Sequence, residues 1–249
     1  MFPKQDLSYQ PISLNNVLSR IVFKVLANRL KKILPHIISM SQSAFLPDRL
    51  ITDNVLVAFE TMHCINQRSK GKEGLMAIKL DMSKAFDRIE WSCLERIMEK
   101  LGFHDRWISL MMMCIKSVSY SVLLNREPKG LIHPTRGIRQ GDPISPYLFL
   151  LCGESLSTML KREESLGLIN GVSVCRRAPR NSHLLLANNS LIFCKANMTE
   201  CSNIWTILRE YKMAFGQKMN KEKTSLFFSK KHNYGSQRSH QKVIRSASH

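Results

Sequence analysis

Residues 75–87, LMAIKLDMSKAFD, constrain this chain more than any other stretch. LMAIKLD is a short apolar run of strand type, and it ends on the carboxylate of Asp81. A carboxylate at the end of a buried strand is costly unless a cation or hydrogen-bond donors meet it. A bound metal is one explanation. An aspartate that caps a helix or closes a turn explains the same residues equally well. Further along, LLLANNSLIF places two apolar arms, 184–186 and 191–193, around the polar pair Asn188 and Asn189. That is the pattern of a short β-hairpin. A fold that brings this hairpin to the end of the first strand would set amides beside an acid.

Charge narrows the partners. The chain has 249 residues and a formal net charge of +18. Such an excess points to a polyanion, most often nucleic acid, although a basic solvated surface on an ordinary protein gives the same number. No apolar run is long enough to span a bilayer, and no basic amphipathic helix marks a membrane surface. The seven cysteines show no C-x-x-C pair and no histidine at zinc-ligand spacing. Most lie in apolar stretches as small core residues, which suits a reducing compartment, nucleus or cytoplasm.

The pattern predicts a helix from about Asn15 to Leu34, stopped by Pro35. Its apolar positions are Val17, Leu18, Ile21, Val22, Val25, Leu26, Leu30 and Ile33. A second helix is expected behind Asp53 as N-cap, and a third from Trp91 to Leu101, stopped by Gly102. A fourth runs through Trp107, Leu110 and Met111. Tyr120–Leu124 and Gly130–His133 read as a hairpin about Glu127 and Pro128. In RGIRQGDPISPYLFLL, Ser145 fits an N-cap and Pro146 the first helical position of a deeply buried helix. Gly137 and Gly141 allow close backbone approach, Gln140 offers donor and acceptor, and Arg136 and Arg139 suit phosphate. A Gly-Pro turn with exposed arginines accounts for that loop equally well. Thr199 is expected to cap a last helix ending near Phe215. The pattern then fades, and residues 230–249 read as a basic, disordered tail.

Six blocks in order carry a more specific signal. YQPISLNNVLSRIVFKVLANRLKKIL, QSAFLPDRLITDN, LDMSKAFDRIEW, RGIRQGDPISPYLFLL, LLLANNSLIF and GQKMNKEKT together resemble the reverse transcriptases of non-LTR (LINE-type) retrotransposons, especially those of plants. The resemblance covers about residues 3–229, taken as one reverse-transcriptase domain ahead of the tail. It implies an α+β fold, the fingers and palm of a right-hand polymerase, with an antiparallel palm sheet backed by helices. It implies an RNA-directed DNA polymerase that takes an RNA template, a DNA primer and dNTPs. Two Mg²⁺ ions would clamp the triphosphate and the primer 3′-oxygen. Carried over residue by residue, Asp81 is the first-block metal ligand, with Asp87 a supporting acid. Asn188 and Asn189 stand at the family's paired aspartates, with Asn188 at a metal-ligand position. Phe86 would lie under the sugar and exclude a 2′-hydroxyl. Gln140 and Gly141 would contact the incoming nucleotide. Arg49 would face template or nucleotide, and Lys223 would contact phosphate. No protein partner can be inferred.

The departures matter as much. An amide oxygen can coordinate a cation, but it has no formal charge and bridges poorly. Two of the three negative charges of Asp81 and positions 188 and 189 are therefore missing. Leu186 stands where the family has an aromatic. Gln10 stands where the family has the arginine expected to hold the triphosphate, and it keeps a hydrogen bond without the charge. The endonuclease, primer-grip and thumb blocks fall outside this sequence, so the palm is expected to hold duplex poorly. These features predict a catalytically degenerate reverse transcriptase, a pseudoenzyme. The alternatives are an active polymerase completed by a partner, a non-catalytic nucleic-acid-binding remnant that uses Arg20, Lys24, Arg29, Arg139 and the basic tail, and, more distantly, a maturase-like chain.

Overall fold

The computed structural model describes residues 16–69, 73–186, 189–220 and 222–230. Elements run in the order α1 (Val17–Ile37), α2 (Ile51–Gln67), β1 (Leu75–Ser83), α3 (Trp91–Lys100), α4 (Asp105–Lys116), β2 (Tyr120–Leu124), β3 (Glu127–Ile132), α5 (Ser145–Ser165), β4 (His183–Leu186), β5 (Asn189–Lys195), α6 (Met198–Phe215), β6 (Lys218–Met219) and β7 (Ser225–Phe228). Helices and antiparallel strands are mixed along the chain, as an α+β fold requires. The palm is an antiparallel sheet with β1 at its centre: β5 and then β4 lie on one side, β7 and β6 on the other.

The two faces of β1 have different fates, set by its alternation. Met76, Ile78, Leu80 and Met82 point into the main core formed with α3, α5 and α6. On the other face Leu75 and Ala77 pack with Leu184 and Phe193 under Ala58 and Ile65 of α2. That cover stops after Ala77. Lys79 is exposed, and Asp81 and Ser83 are half-buried on the same open face. The strand thus runs from a covered end to an open end, and Asp81 lies at the open end.

Several local expectations are corrected. α1 continues through Pro35 to Ile37, because a proline in the last turn removes only the bond its own N–H would make to Lys31. Its buried face is Phe23, Leu26, Ala27, Leu30 and Leu34, while Val17, Leu18, Ile21, Val22, Val25 and Ile33 are exposed. The helix carries two apolar stripes, and periodicity cannot say which one is covered. Asp53 lies in the first turn of α2 rather than capping it; Leu50 holds the cap position without a side-chain bond. Ser145 is inside α5 behind Ile144, and α6 is capped by Asn197, whose Oδ1 accepts the Glu200 N–H at 2.8 Å. The hairpin β2–β3 turns at Asn125 and Arg126, both at positive φ, two residues earlier than expected. Strands β6 and β7 had no signature of their own. The tail 231–249 and Gln10 lie outside the described residues. Among those described, no helix is long and apolar enough to cross a membrane.

Candidate active site

The open end of β1 continues into a turn, residues 84–88, that two other blocks hold in place. Lys84 takes the left-handed conformation, φ 51°, and its carbonyl accepts the Asp87 N–H at 3.1 Å. The RGIRQG loop docks on this turn. Ile138 N–H donates to Phe86 O at 2.9 Å, Gly137 N–H to Ile89 O at 2.8 Å, and Trp91 Nε1–H to Gly137 O at 2.7 Å. Gly137 has φ 86°, and a Cβ there would stand 2.7 Å from the Asp87 carbonyl oxygen. Close approach is therefore required at Gly137, whereas Gly141, at φ 100°, supplies an unusual backbone angle. From the other side, Gln217 Nε2–H donates to Ala85 O at 2.9 Å, and Gly216 abuts Arg88 O. Gln217 and Trp91 were not singled out from sequence; both lie inside quoted blocks, but only the docking shows what they hold.

The clamped turn aims its residues. Phe86 is half-buried and stacks on Phe149, with centroids 4.9 Å apart and planes within 16°. Gln140 lines a cleft of about 770 Å³ with Asp87, Arg136, Ile138 and the β2–β3 hairpin. The β4–β5 hairpin closes on the strand end. Register pairs Asp81 with Asn189, and Asn189 with Leu186 across the hairpin. Residues directly opposite share a face with Cβ atoms about 4.5–5.5 Å apart, so carboxylate and amide stand side by side. Residues 187 and 188, the hairpin connection, lie outside the described residues, so the place of Asn188 is known only from its sequence neighbours. The Asp81 carbonyl accepts the Asn220 N–H at 2.8 Å. Asn220 Oδ1 in turn receives the backbone N–H of Lys223 at 3.4 Å, so exposed Lys223 rides on a turn tied to Asp81.

The arginines are used differently from what their sequence suggests. Arg49 directs its guanidinium at its own chain. It donates to Ser39 O at 2.6 Å, Gln42 O at 2.8 Å, Ile38 O at 2.9 Å and Pro35 O at 3.4 Å. It closes the carbonyl end of α1 and shapes the loop 39–46, which reaches the hairpin when Leu185 N–H donates to Ser41 O at 2.7 Å. Arg49 therefore positions the fingers loop and is not brought to Asp81. Arg136 meets Glu90 at 3.3 Å. Arg139 lies 5.2 Å above the Tyr120 ring and 4.0 Å from Asp142. Both loop arginines thus make contacts within the chain.

Asp142 is the more buried partner in that anchor. Burial raises its carboxyl from the ordinary 3.8 to about 6, against the opposing pull of Arg139. The folded chain thus holds a proton on Asp142 that the unfolded chain has released, so stability falls as pH rises from about 4 through 6. Urea unfolding at stepped pH should show that decline in the natural chain, and Asp142→Asn should remove it. Parallel profiles for the two proteins would refute the assignment.

The donor set can be tested against the divalent cations that reverse transcriptases use. Among the described residues, no group of three histidine, cysteine, aspartate or glutamate side chains comes together to hold a metal. Asp81 brings one carboxylate to the strand end, and its cross-strand neighbour is an amide. Two hard cations about 4 Å apart repel each other and need bridging carboxylates. These donors do not fit a two-cation site.

Comparison with known proteins places the geometry in context. The family model for reverse transcriptase (RNA-dependent DNA polymerase) matches residues 2–242. An uncharacterized mitochondrial protein of Arabidopsis thaliana is 47% identical over 68 residues, covering 27% of this chain and 56% of that protein. The Xenopus laevis transposon TX1 149 kDa protein is 28% identical over 155 residues, 62% of this chain and 12% of the relative. The Pol polyprotein of the Popillia japonica type-1 retrotransposable element R2 is 26% identical over 164 residues, 64% of this chain and 22% of the relative. The chain thus spans about half of the first relative and a small part of the other two. Among solved structures, Candida tropicalis telomerase superposes with a TM-score of 0.57 at 15% identity, over 85% of this chain and 34% of that one.

Proposed function

The chain belongs to the reverse transcriptase (RNA-dependent DNA polymerase) family, of non-LTR retrotransposon type, and from that premise we propose that it is a polymerase domain whose chemistry has decayed. The observation that carries this reading is the pairing of Asp81 with Asn189 at the open end of the sheet. In an intact site two Mg²⁺ ions would supply charge stabilisation to the triphosphate and the primer oxygen. Here Asp81 offers one charge, and Asn189 and, by sequence, Asn188 offer none.

The remaining machinery is read as follows. Phe86, stiffened by Phe149, bounds the sugar of an incoming dNTP. Gln140 and Gly141 border its base and phosphates, and Lys223 on the turn tied to Asp81 reaches phosphate. Gln10 would meet the triphosphate without a charge. RNA template and DNA primer lie over the basic palm, within a domain of residues 1–229, and the segment 230–249 adds charge. Phe86 and the Gly137 loop support the family reading because hydrogen bonds and ring stacking hold them beside the end of the strand that carries Asp81. The test is primer extension on an RNA template with Mg²⁺ by the purified natural chain. The expected result is no product above the no-enzyme control, and steady extension would overturn the reading.

A further inference from the structure

Two helices keep apolar stripes in solvent. On α1, Val17, Leu18, Ile21, Val22 and Val25 are between 46% and 76% exposed. On α2, Ile51, Val55, Leu56 and Phe59 are between 48% and 71% exposed. Val17, Ile21 and Val25 follow at four-residue steps, as do Ile51, Val55 and Phe59, so each set runs along one face of its helix. Arg49 ties the start of α2 to the end of α1, because its guanidinium binds the Pro35 and Ile38 carbonyls. Together the two stripes expose on the order of 900 Å², comparable with the roughly 800 Å² that each partner gives to a standard-size interface.

The charges beside the two stripes differ in sign. α1 carries Arg20, Lys24, Arg29, Lys31 and Lys32 and no acid, whereas α2 carries Asp53 and Glu60 and neither lysine nor arginine. Arg20, Lys24, Asp53 and Glu60 are exposed, and none of them forms an ion pair among the described residues. On α1, Arg20 and Lys24 join Val17, Ile21, Val25 and Pro143 around a groove of about 560 Å³. On α2, Phe59 is the largest side chain of the stripe, and Glu60 follows it. A phenyl ring set into that groove brings a carboxylate to the two cations. Pairing α1 with α1 would set cation against cation, and α2 with α2 acid against acid; α1 against α2 is the complementary combination. The segments outside the described residues offer α1 no such match: 1–15 holds one acid, Asp6, and 231–249 holds none. A nucleic acid would meet the cations and leave the apolar stripes in water.

We propose that α1 and α2 form a docking face for a second copy of this chain, with α1 of each copy packed on α2 of the other about a two-fold axis. The contact is isologous, so all four stripes are covered at once and none is left for a third copy. Repulsion between two chains of net charge +18 is screened within about 8 Å at physiological salt, whereas the gain from apolar burial persists. The inference is independent of the state of the metal site.

Sedimentation equilibrium of the full chain at about 0.15 M salt is expected to show a dimer at micromolar concentration. Arg20→Glu with Lys24→Glu should weaken that dimer by roughly a hundredfold or more, although it lowers the net charge and so relieves the overall repulsion. Asp53→Lys with Glu60→Lys should weaken it as far, with thermal unfolding unchanged in both. Mixed one to one, the two variants should pair about as well as the natural chain, because acid then faces base at both contacts. Such recovery also shows that each variant is folded. A natural chain that stays monomeric at high micromolar concentration would overturn the proposal and leave the stripes to a foreign acidic helix or to residues 1–15. A dimer that survives either charge reversal would overturn it too, as would folded variants that fail to pair when mixed.

Discussion

Asn188→Asp with Asn189→Asp should raise single-nucleotide addition on an RNA template by roughly a thousandfold or more over the natural chain. The expectation follows from the register. Asn189 is the cross-strand neighbour of Asp81, so an acid at that position lies beside the one remaining carboxylate. Two added charges would rebuild the wall that divalent cations need. A thousandfold corresponds to about 4 kcal/mol of transition-state stabilisation, within the several kcal/mol that metal charge supplies. The single changes should each fall far short, because one acid cannot bridge two cations. Pre-steady-state addition of one labelled nucleotide checks this directly. A revertant as silent as the natural chain would move the defect from positions 188 and 189 to Gln10 or to Leu186.

The second large effect is structural. Gly137→Ala should destabilise the chain by about 2–5 kcal/mol, because a left-handed residue costs roughly 1–2 kcal/mol and overpacking another 1–3. The clash cannot relax through a side chain, since the nearest atoms are the Asp87 backbone oxygen, carbon and Cα at 2.7, 3.0 and 3.1 Å. In a protein of this size that shift lowers the melting midpoint by on the order of ten degrees. Gly102→Ala is the control: it has a similar φ of 80° and nothing within 4 Å of the added Cβ. Its cost should be confined to the backbone share. Equal midpoints for the two variants would show that the loop is not locked to the turn as described.

The sequence carried the palm well because its signals were local and strong. β1, the hairpin β4–β5 and the buried start of α5 each announce themselves by a dense apolar pattern. Asn189 was legible as a departure, although its pairing with Asp81 needed the register. Strands β6 and β7 were invisible because two and four residues have no period, and they exist only as partners of β1. The covered face of α1 is not legible in the sequence, because two stripes of that helix are apolar. Arg49 and Arg139 show a further limit. A guanidinium reads as a phosphate ligand in one dimension, and only the fold reveals whether carbonyls or an aromatic ring take it first.

Calorimetric titration with Mg²⁺ in the presence of a non-hydrolysable nucleotide tests the loss of the cation site most directly. The natural chain should take up no divalent ion, while the Asn188→Asp, Asn189→Asp protein should take up two with a clear heat. Saturable uptake of two ions by the natural chain, with the affinity of the revertant, would contradict the account.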